Sequence, residues 1–307
     1  MSDTNLSVYE NLDVLITEKL LKNDSLFNHV YWVKQDIELL PHREHILGSV
    51  NFTDITSRKD DFIKELFSTI VAWIYGKKKQ KELFDMRFKQ SDDYGIAASF
   101  LLQQAKDKFR KDRPQGQFGE LLLFNFLQKF FSAVPLLRKM PITTSSEMER
   151  FGADAIHVAK NENNILFFIG EAKCYISQGK FSTALKDGIN SVVNNFNNFF
   201  KEMNLYTYDD FLDEDLKIVA QDLKEGRLKN VKFELVCIII YNENKDITAD
   251  SEQEIKANII NTITEHCHNF NKQFFNSFQG VVINRINYIL FPVWELDKVL
   301  ADFNKQL

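Results

Sequence analysis

Short, dense apolar runs alternate along the chain with stretches that place an apolar residue every third or fourth position. The first pattern marks strands and the second marks helices. Two apolar runs flank the polar knot Lys160-Asn161-Glu162-Asn163-Asn164 and predict a β-hairpin, with strands over 153–159 and 165–174. Val231–Tyr241 (V-K-F-E-L-V-C-I-I-I-Y) is almost continuously apolar, which suits a central strand buried on both faces. A first core strand is expected over 136–142, a loop over 143–146, and a last strand over 281–292.

Helical spacing predicts helices over 118–131, 181–203, 208–224, 252–270 and 295–303. The second of these should bury Leu185, Ile189, Val192, Val193, Phe196, Phe199 and Phe200. Nearer the N-terminus the pattern is mixed. Val8–Lys22 fits a strand or a helix, and Asp36–Leu40 ends an element before Pro41. Thr56 or Ser57 is the expected N-cap of a helix through Phe62, Leu66, Phe67, Ile70, Trp73 and Ile74, stopping near Gly76. The expected fold is α/β: a mixed, partly antiparallel sheet flanked by helices over residues 91–307, with a mainly helical extension over 1–90 packed on it.

The predicted hairpin brings candidate chemistry together. With the turn centred between Glu162 and Asn163, Asp154 falls opposite Glu171. Directly opposed residues on antiparallel strands have Cβ atoms about 4.5–5.5 Å apart. Two carboxylates at that spacing repel unless a cation joins them. Side chains alternate along a strand, so Lys173 shares the face of Glu171 and, in this register, of Asp154. Two carboxylates able to hold a divalent metal, with an ammonium beside them, form a constellation suited to cutting phosphodiesters.

The triplet E-x-K occurs three times: Glu171-Ala-Lys173, Glu243-Asn-Lys245 and Glu254-Ile-Lys256. The third lies in a predicted helix, where positions two apart point to different sides. The second sits in the polar loop N-E-N-K-D, with no acidic strand upstream at hairpin spacing. Only the first ends an apolar strand and has an acidic partner.

Composition narrows the class. The chain has 307 residues, 44% of them hydrophobic, with 28 phenylalanines, enough for a large and partly aromatic core. The start M-S-D-T-N lacks the basic and apolar regions of a signal peptide, and the apolar stretches are too short to span a bilayer. Three cysteines (174, 237, 267) without C-x-x-C spacing fit reduced thiols in a cytosolic protein. The net charge of −5 argues against tight autonomous grip on nucleic acid, though not against a strand delivered by a partner.

Two basic clusters run against that total: Lys77, Lys78, Lys79, Lys81, Arg87 and Lys89, then Lys106, Lys108, Arg110, Lys111 and Arg113. Solvated helix faces are their ordinary explanation, and a DNA backbone is the functional one. His266-Cys267-His268 lacks a second ligand pair at zinc spacing, and His42 and His45 flank Glu44 in a proline loop, where such a cluster is ordinarily solvated. His157 should lie on the face opposite Asp154. There is no P-loop and no G-x-S-x-G elbow, so any motor must be another polypeptide.

The D-(x16)-E-x-K arrangement resembles the PD-(D/E)xK nuclease superfamily with its restriction-endonuclease-like fold. More narrowly, Q-F-G-E-L-L-L-F at 117–124, F-G-A-D-A-I-H-V at 151–158 and F-F-I-G-E-A-K-C-Y at 167–175 resemble the HamA family, nuclease subunits of Hachiman anti-phage systems. The similarity covers roughly residues 90–307; the Asp motif lacks a directly preceding proline. The resemblance implies a bacterial, cytoplasmic, Mg²⁺-dependent deoxyribonuclease, with Mn²⁺ able to substitute.

On that reading Asp154, Glu171 and the Ala172 backbone carbonyl hold the ion, and Lys173 serves the nucleophile. Glu120 is the helix glutamate facing the metal; its plainer role is a first-turn acid at a helix N-terminus. Gln178 stands where some relatives carry a glutamine, or is an ordinary turn residue. The implied partners are DNA and a superfamily-2 helicase subunit of the HamB kind that restrains the nuclease. The alternative is a nucleic-acid- or partner-binding subunit of the same fold whose constellation only steadies the hairpin.

Overall fold

The computed structural model describes residues 11–109, 114–138, 152–205, 212–247 and 249–307. Its centre is a seven-stranded mixed sheet in the order β1-β2-β9-β8-β7-β6-β5. The strands are β1 (Val30–Asp36), β2 (Glu44–Val50), β5 (Val134–Pro135), β6 (Ala155–Lys160), β7 (Ile165–Tyr175), β8 (Val231–Glu243) and β9 (Ile286–Trp294). β3 (Phe52–Thr53) and β4 (Thr56–Ser57) form a separate two-stranded ladder.

The middle of the sheet is parallel, through β7·β8, β8·β9 and β2·β9, and antiparallel hairpins close both sides. β8 shows why its run is continuously apolar. Leu235, Cys237, Ile239 and Tyr241 enter one core while Val236, Ile238 and Ile240 enter the other.

Helices cover both faces. On one face lie α1 (Leu12–Lys19), α8 (Phe181–Leu205), α9 (Lys217–Lys224) and α10 (Glu252–His268). The other carries α2 (Asp24–Asn28), α3 (Lys59–Ser68), α4 (Ile70–Ile74), α7 (Pro114–Phe131) and α12 (Leu296–Gln306). The pair α5 (Lys77–Ser91) and α6 (Tyr94–Lys106) packs on the rim of this layer, Ala105 entering its core, and α11 (Gly280–Ile283) leads into β9. The expected α/β architecture, a mixed sheet flanked by helices, is what the chain forms.

Several expectations need correction. The N-terminal stretch is not an appended helical layer alone, because β1 and β2 extend the central sheet through the parallel β2·β9 pairing. Val8–Lys22 contributes a helix, α1, within its described part. The expected helix through Ile74 breaks at Thr69 into α3 and α4, and Arg58 rather than Thr56 or Ser57 precedes it. β9 begins at Ile286 because 280–283 turn helical. Phe200 is 54% exposed, not part of the buried stripe of α8.

His45 is buried on β2, not solvated. Its Nε2 meets the Pro41 carbonyl and its Nδ1 accepts from the Tyr288 amide, and burial lowers its pKa to about 4. Glu243 is the last residue of β8 and is buried, not part of a polar loop. Arg110, Lys111 and Arg113, the loop 143–146, the far end of the expected 136–142 strand and the start of the expected 208–224 helix lie outside the described residues.

Candidate active site

The hairpin forms because Asn161 organises its own turn: its side-chain oxygen accepts from the backbone amides of Asn163 and Asn164. The resulting register pairs Ala155 with Gly170 and Lys160 with Ile165. Continued by one position, it sets Asp154 opposite Glu171, as the spacing predicts. Past Gly170, β7 has lost its β6 neighbour but stays paired with β8 up to Tyr175. The Asp154 carboxylate takes over that open edge, accepting a hydrogen bond from the Ala172 amide at 2.9 Å. In an antiparallel pair a residue offers its N–H and C=O to the same neighbour, so the Ala172 carbonyl looks toward the same edge.

Glu171 is only 6% exposed and is held on both oxygens. Lys173 Nζ donates to Oε1 and Asn195 Nδ2 donates to Oε2, each at 2.8 Å. Asn195 comes from α8, which lies close to this face because Gly188 lets it. A Cβ at Gly188 would fall 2.4 Å from Cys237 Sγ and 2.7 Å from Ile239 Cδ1. Burial alone would lower the Lys173 pKa, but the Glu171 charge and hydrogen bond, with Asp154 and Cys237 adding, hold it above its ordinary value. Lys173 is therefore a firm ammonium, and it supplies the positive charge that lets Glu171 stay buried beside Asp154. The Cys237 thiol beneath is pushed up by burial and then by Glu171.

Glu120 comes from α7, on the other face of the sheet. Its neighbour Gly119 packs α7 against that face, since a Cβ there would stand 3.3 Å from Ala172 Cβ. Glu120, Asp154, Arg138, Trp73 and His157 line one small cleft. The helix α7 starts at Pro114, so Glu120 lies in its second turn and not its first, and the helix-dipole explanation loses its basis. By strand alternation His157 takes the face opposite Asp154, and it borders the cleft with Nδ1 on the Ala133 carbonyl; burial takes its pKa down to about 3. Gln178 accepts from Asn244 at 3.4 Å and is exposed, in keeping with its plainer reading.

Two residues escaped the sequence reading. Asn195 sits three after Val192 and four before Phe199, on the buried stripe of α8; a polar residue on such a stripe is the signal that would have found it. Arg138 brings a guanidinium to the cleft, paired with Asp213 at 3.4 Å; its Nε has no hydrogen-bond partner. Burial lowers its pKa, against the opposing pull of Asp213.

Among the described residues no three His, Cys, Asp or Glu side chains stand together as a metal-ligand group. No described helix is long and apolar enough to cross a membrane. No curated protein matches the sequence. The family model for HamA matches residues 27–307, further toward the N-terminus than the resemblance from residue 90 onward. The chain belongs to the HamA family.

Proposed function

We propose that the chain is the nuclease component of a Hachiman anti-phage defence system, cutting DNA phosphodiester bonds at the end of the β6–β7 hairpin in the manner of a PD-(D/E)xK, restriction-endonuclease-like enzyme. The observation that carries this reading is the convergence at one strand edge. Asp154 is bonded to the Ala172 amide, with Glu171 and Lys173 joined beside it.

The donors there suit a hard cation. Two carboxylates and a carbonyl oxygen are enough for Mg²⁺, which takes one or two carboxylates and keeps several waters. Asp154, Glu171 and the Ala172 carbonyl would hold it, with Glu120 adding negative charge at the cleft. Once bound, Mg²⁺ or Mn²⁺ supplies Lewis-acid polarisation of the phosphate and a more acidic water.

The remaining work falls to the chain's own residues. Asn195 and the buried wall of α8 fix Glu171, leaving its oxygens little freedom. Lys173 Nζ orients the attacking water and offsets charge that builds on the phosphorus oxygens. Arg138, paired with Asp213 in the wall of the cleft, adds positive charge toward the phosphate. The net charge of −5 fits a nuclease that receives its strand from a helicase partner of the HamB kind.

The test is cleavage of supercoiled and linear single-stranded DNA by the protein with and without its helicase partner, in Mg²⁺ and in EDTA. Cutting that needs the metal and disappears in Glu171→Ala supports the proposal; equal cutting by that variant defeats it.

A second reading has one observation in its favour. Both Glu171 oxygens and one Asp154 oxygen are already satisfied within the protein, so the same groups could serve as a lock on the hairpin end. In that case Asp154→Asn would lower the melting temperature and leave Mn²⁺ binding unchanged.

A further inference from the structure

The arm formed by helix α5 stands apart from the rest of the molecule in charge and burial, while α6 roots it, with Ala97 and Ala105 buried. None of the fifteen residues of α5, all described, is buried. They include six basic side chains against two acidic ones, in a chain whose net charge is −5. At 1.5 Å per residue the helix is about 22 Å long. Lys78, Lys81 and Lys89 fall on one side of it by helical spacing and are exposed, with Glu82 and Asp85 among them. Those acids form exposed ion pairs, Glu82 with Lys79 at 3.2 Å and Asp85 with Lys81 at 2.6 Å. Such pairs contribute little and exchange readily for phosphate.

The tip of the arm is aromatic. Tyr94 is 72% exposed and its ring centroid lies 4.5 Å from that of Phe88 and 6.2 Å from that of Phe84. Ile96, two residues on, is 46% exposed. The root of the arm meets the candidate site. Trp73, at the end of α4, lines the cleft with Glu120, Asp154 and Arg138. A Cβ on Gly76, the residue that opens α5, would stand 3.5 Å from Asp213 Oδ2, the oxygen that pairs with Arg138.

From this combination we infer that the arm over residues 77–94 holds a single strand of nucleic acid and leads it to the cleft. The lysines of α5 take successive phosphates, and Tyr94 offers a platform on which a base stacks. A cationic stripe with exposed rings matches the two features of a single strand, its charge and its free base faces. A protein partner would use the rings but has no general need of the lysines. The leading of the strand to the cleft rests on the nuclease reading; the holding of it does not.

The experiment is fluorescence anisotropy with the full chain and a labelled oligodeoxythymidylate of about 20 nucleotides, in EDTA so that nothing is cut, between about 50 and 200 mM salt. Wild-type protein should bind at the low end. Lys78→Glu/Lys81→Glu/Lys89→Glu should bind at least about tenfold more weakly, with a salt slope shallower by about 2, since each lost phosphate contact removes about 0.7. Tyr94→Ala should lose roughly fivefold or more with the slope unchanged, because stacking carries no counterion. Exchanging the three lysines for arginine should preserve both affinity and slope, which separates charge from folding.

No binding by the wild type, or equal affinity and slope in every variant, overturns the inference. So does a triple-glutamate variant that binds the strand normally and instead loses a protein partner. If the variants weaken binding while wild-type protein and partner cut no DNA, the nuclease reading falls and the holding role stands.

Discussion

The same triplet ends two neighbouring strands of the sheet with opposite consequences. Glu171-Ala172-Lys173 lies inside β7, and Glu243-Asn244-Lys245 begins on the last residue of β8. In the first, the strand runs on to Tyr175, so alternation keeps glutamate and lysine on one face, where they bond at 2.8 Å. In the second, the strand stops. The Glu243 carboxylate turns back onto the amides of Asn244 and Lys245 and onto His266, while Lys245 swings out to Glu265. Glu243 becomes a strand cap and Glu171 remains a presented carboxylate. The third triplet behaves as a helix dictates: Lys256 bonds Glu252, one turn away, and not Glu254. On the proposed reading, the candidate site differs from the other two triplets in that the backbone stays extended through the lysine.

The sharpest way to break this comparison is to remove the two lysines in turn. Lys173→Ala should slow DNA cleavage by about 10²–10⁴-fold, the range for loss of a group that manages the proton of a nucleophile. Lys245→Ala should leave the rate unchanged; similar losses in both would erase the distinction.

The glutamates should differ in the other direction. Glu243→Ala removes the acceptor of two backbone amides and of His266, donors that water can partly re-satisfy, so the loss is on the order of the 0.5–1.5 kcal/mol of a net hydrogen bond. Thermal melting should detect that loss, while cleavage at a temperature well below the transition stays intact.

Asn195→Ala offers a finer cut. It frees one oxygen of Glu171 without removing the carboxylate, so we expect roughly a tenfold fall in kcat, from misplacement of a catalytic group. The KM for DNA should hold, because Asn195 is buried on the inner face of α8. A rise in KM with kcat unchanged would contradict the positioning role.

The smallest effect is one of pH on stability. Burial raises the Glu243 carboxyl, but the hydrogen bonds from His266 and from the Lys245 and Asn244 amides outweigh it and hold the pKa below the ordinary 4.5. A carboxyl depressed in the fold stabilises it above the unfolded pKa and loses that contribution as pH falls through the folded value. Wild-type melting temperature should therefore drop below about pH 4.5 more steeply than that of Glu243→Gln. Parallel curves would show that the cap carries no such linkage.

Much of this was legible in the sequence because it is local. The hairpin register follows from the Asn161 turn and the flanking alternation, and β8 follows from a run too apolar to face water on either side. What could not be read depends on partners far along the chain. β2 earns its place in the sheet only by pairing Ile46 with Ile289, and nothing in residues 44–50 names that partner. A helix expected from residue 118 puts Glu120 in a first turn; proline is tolerated in the first helical turn, and the helix runs from Pro114.

Asn195 was hidden in a run of similar asparagines, and only its position on the apolar stripe marks it. Glu243 was assigned to a loop because the residues after it are polar, although the carboxylate itself is enclosed by His266 and the end of the strand.

The central claim is that Asp154 and Glu171 together hold a divalent cation, and a Mn²⁺ titration followed by electron paramagnetic resonance tests it without requiring cleavage or a partner. The account predicts one tightly held Mn²⁺ per wild-type chain and at least about tenfold weaker binding in Asp154→Asn and in Glu171→Gln. Equal Mn²⁺ binding by all three proteins, or none by the wild type at millimolar metal, would contradict it.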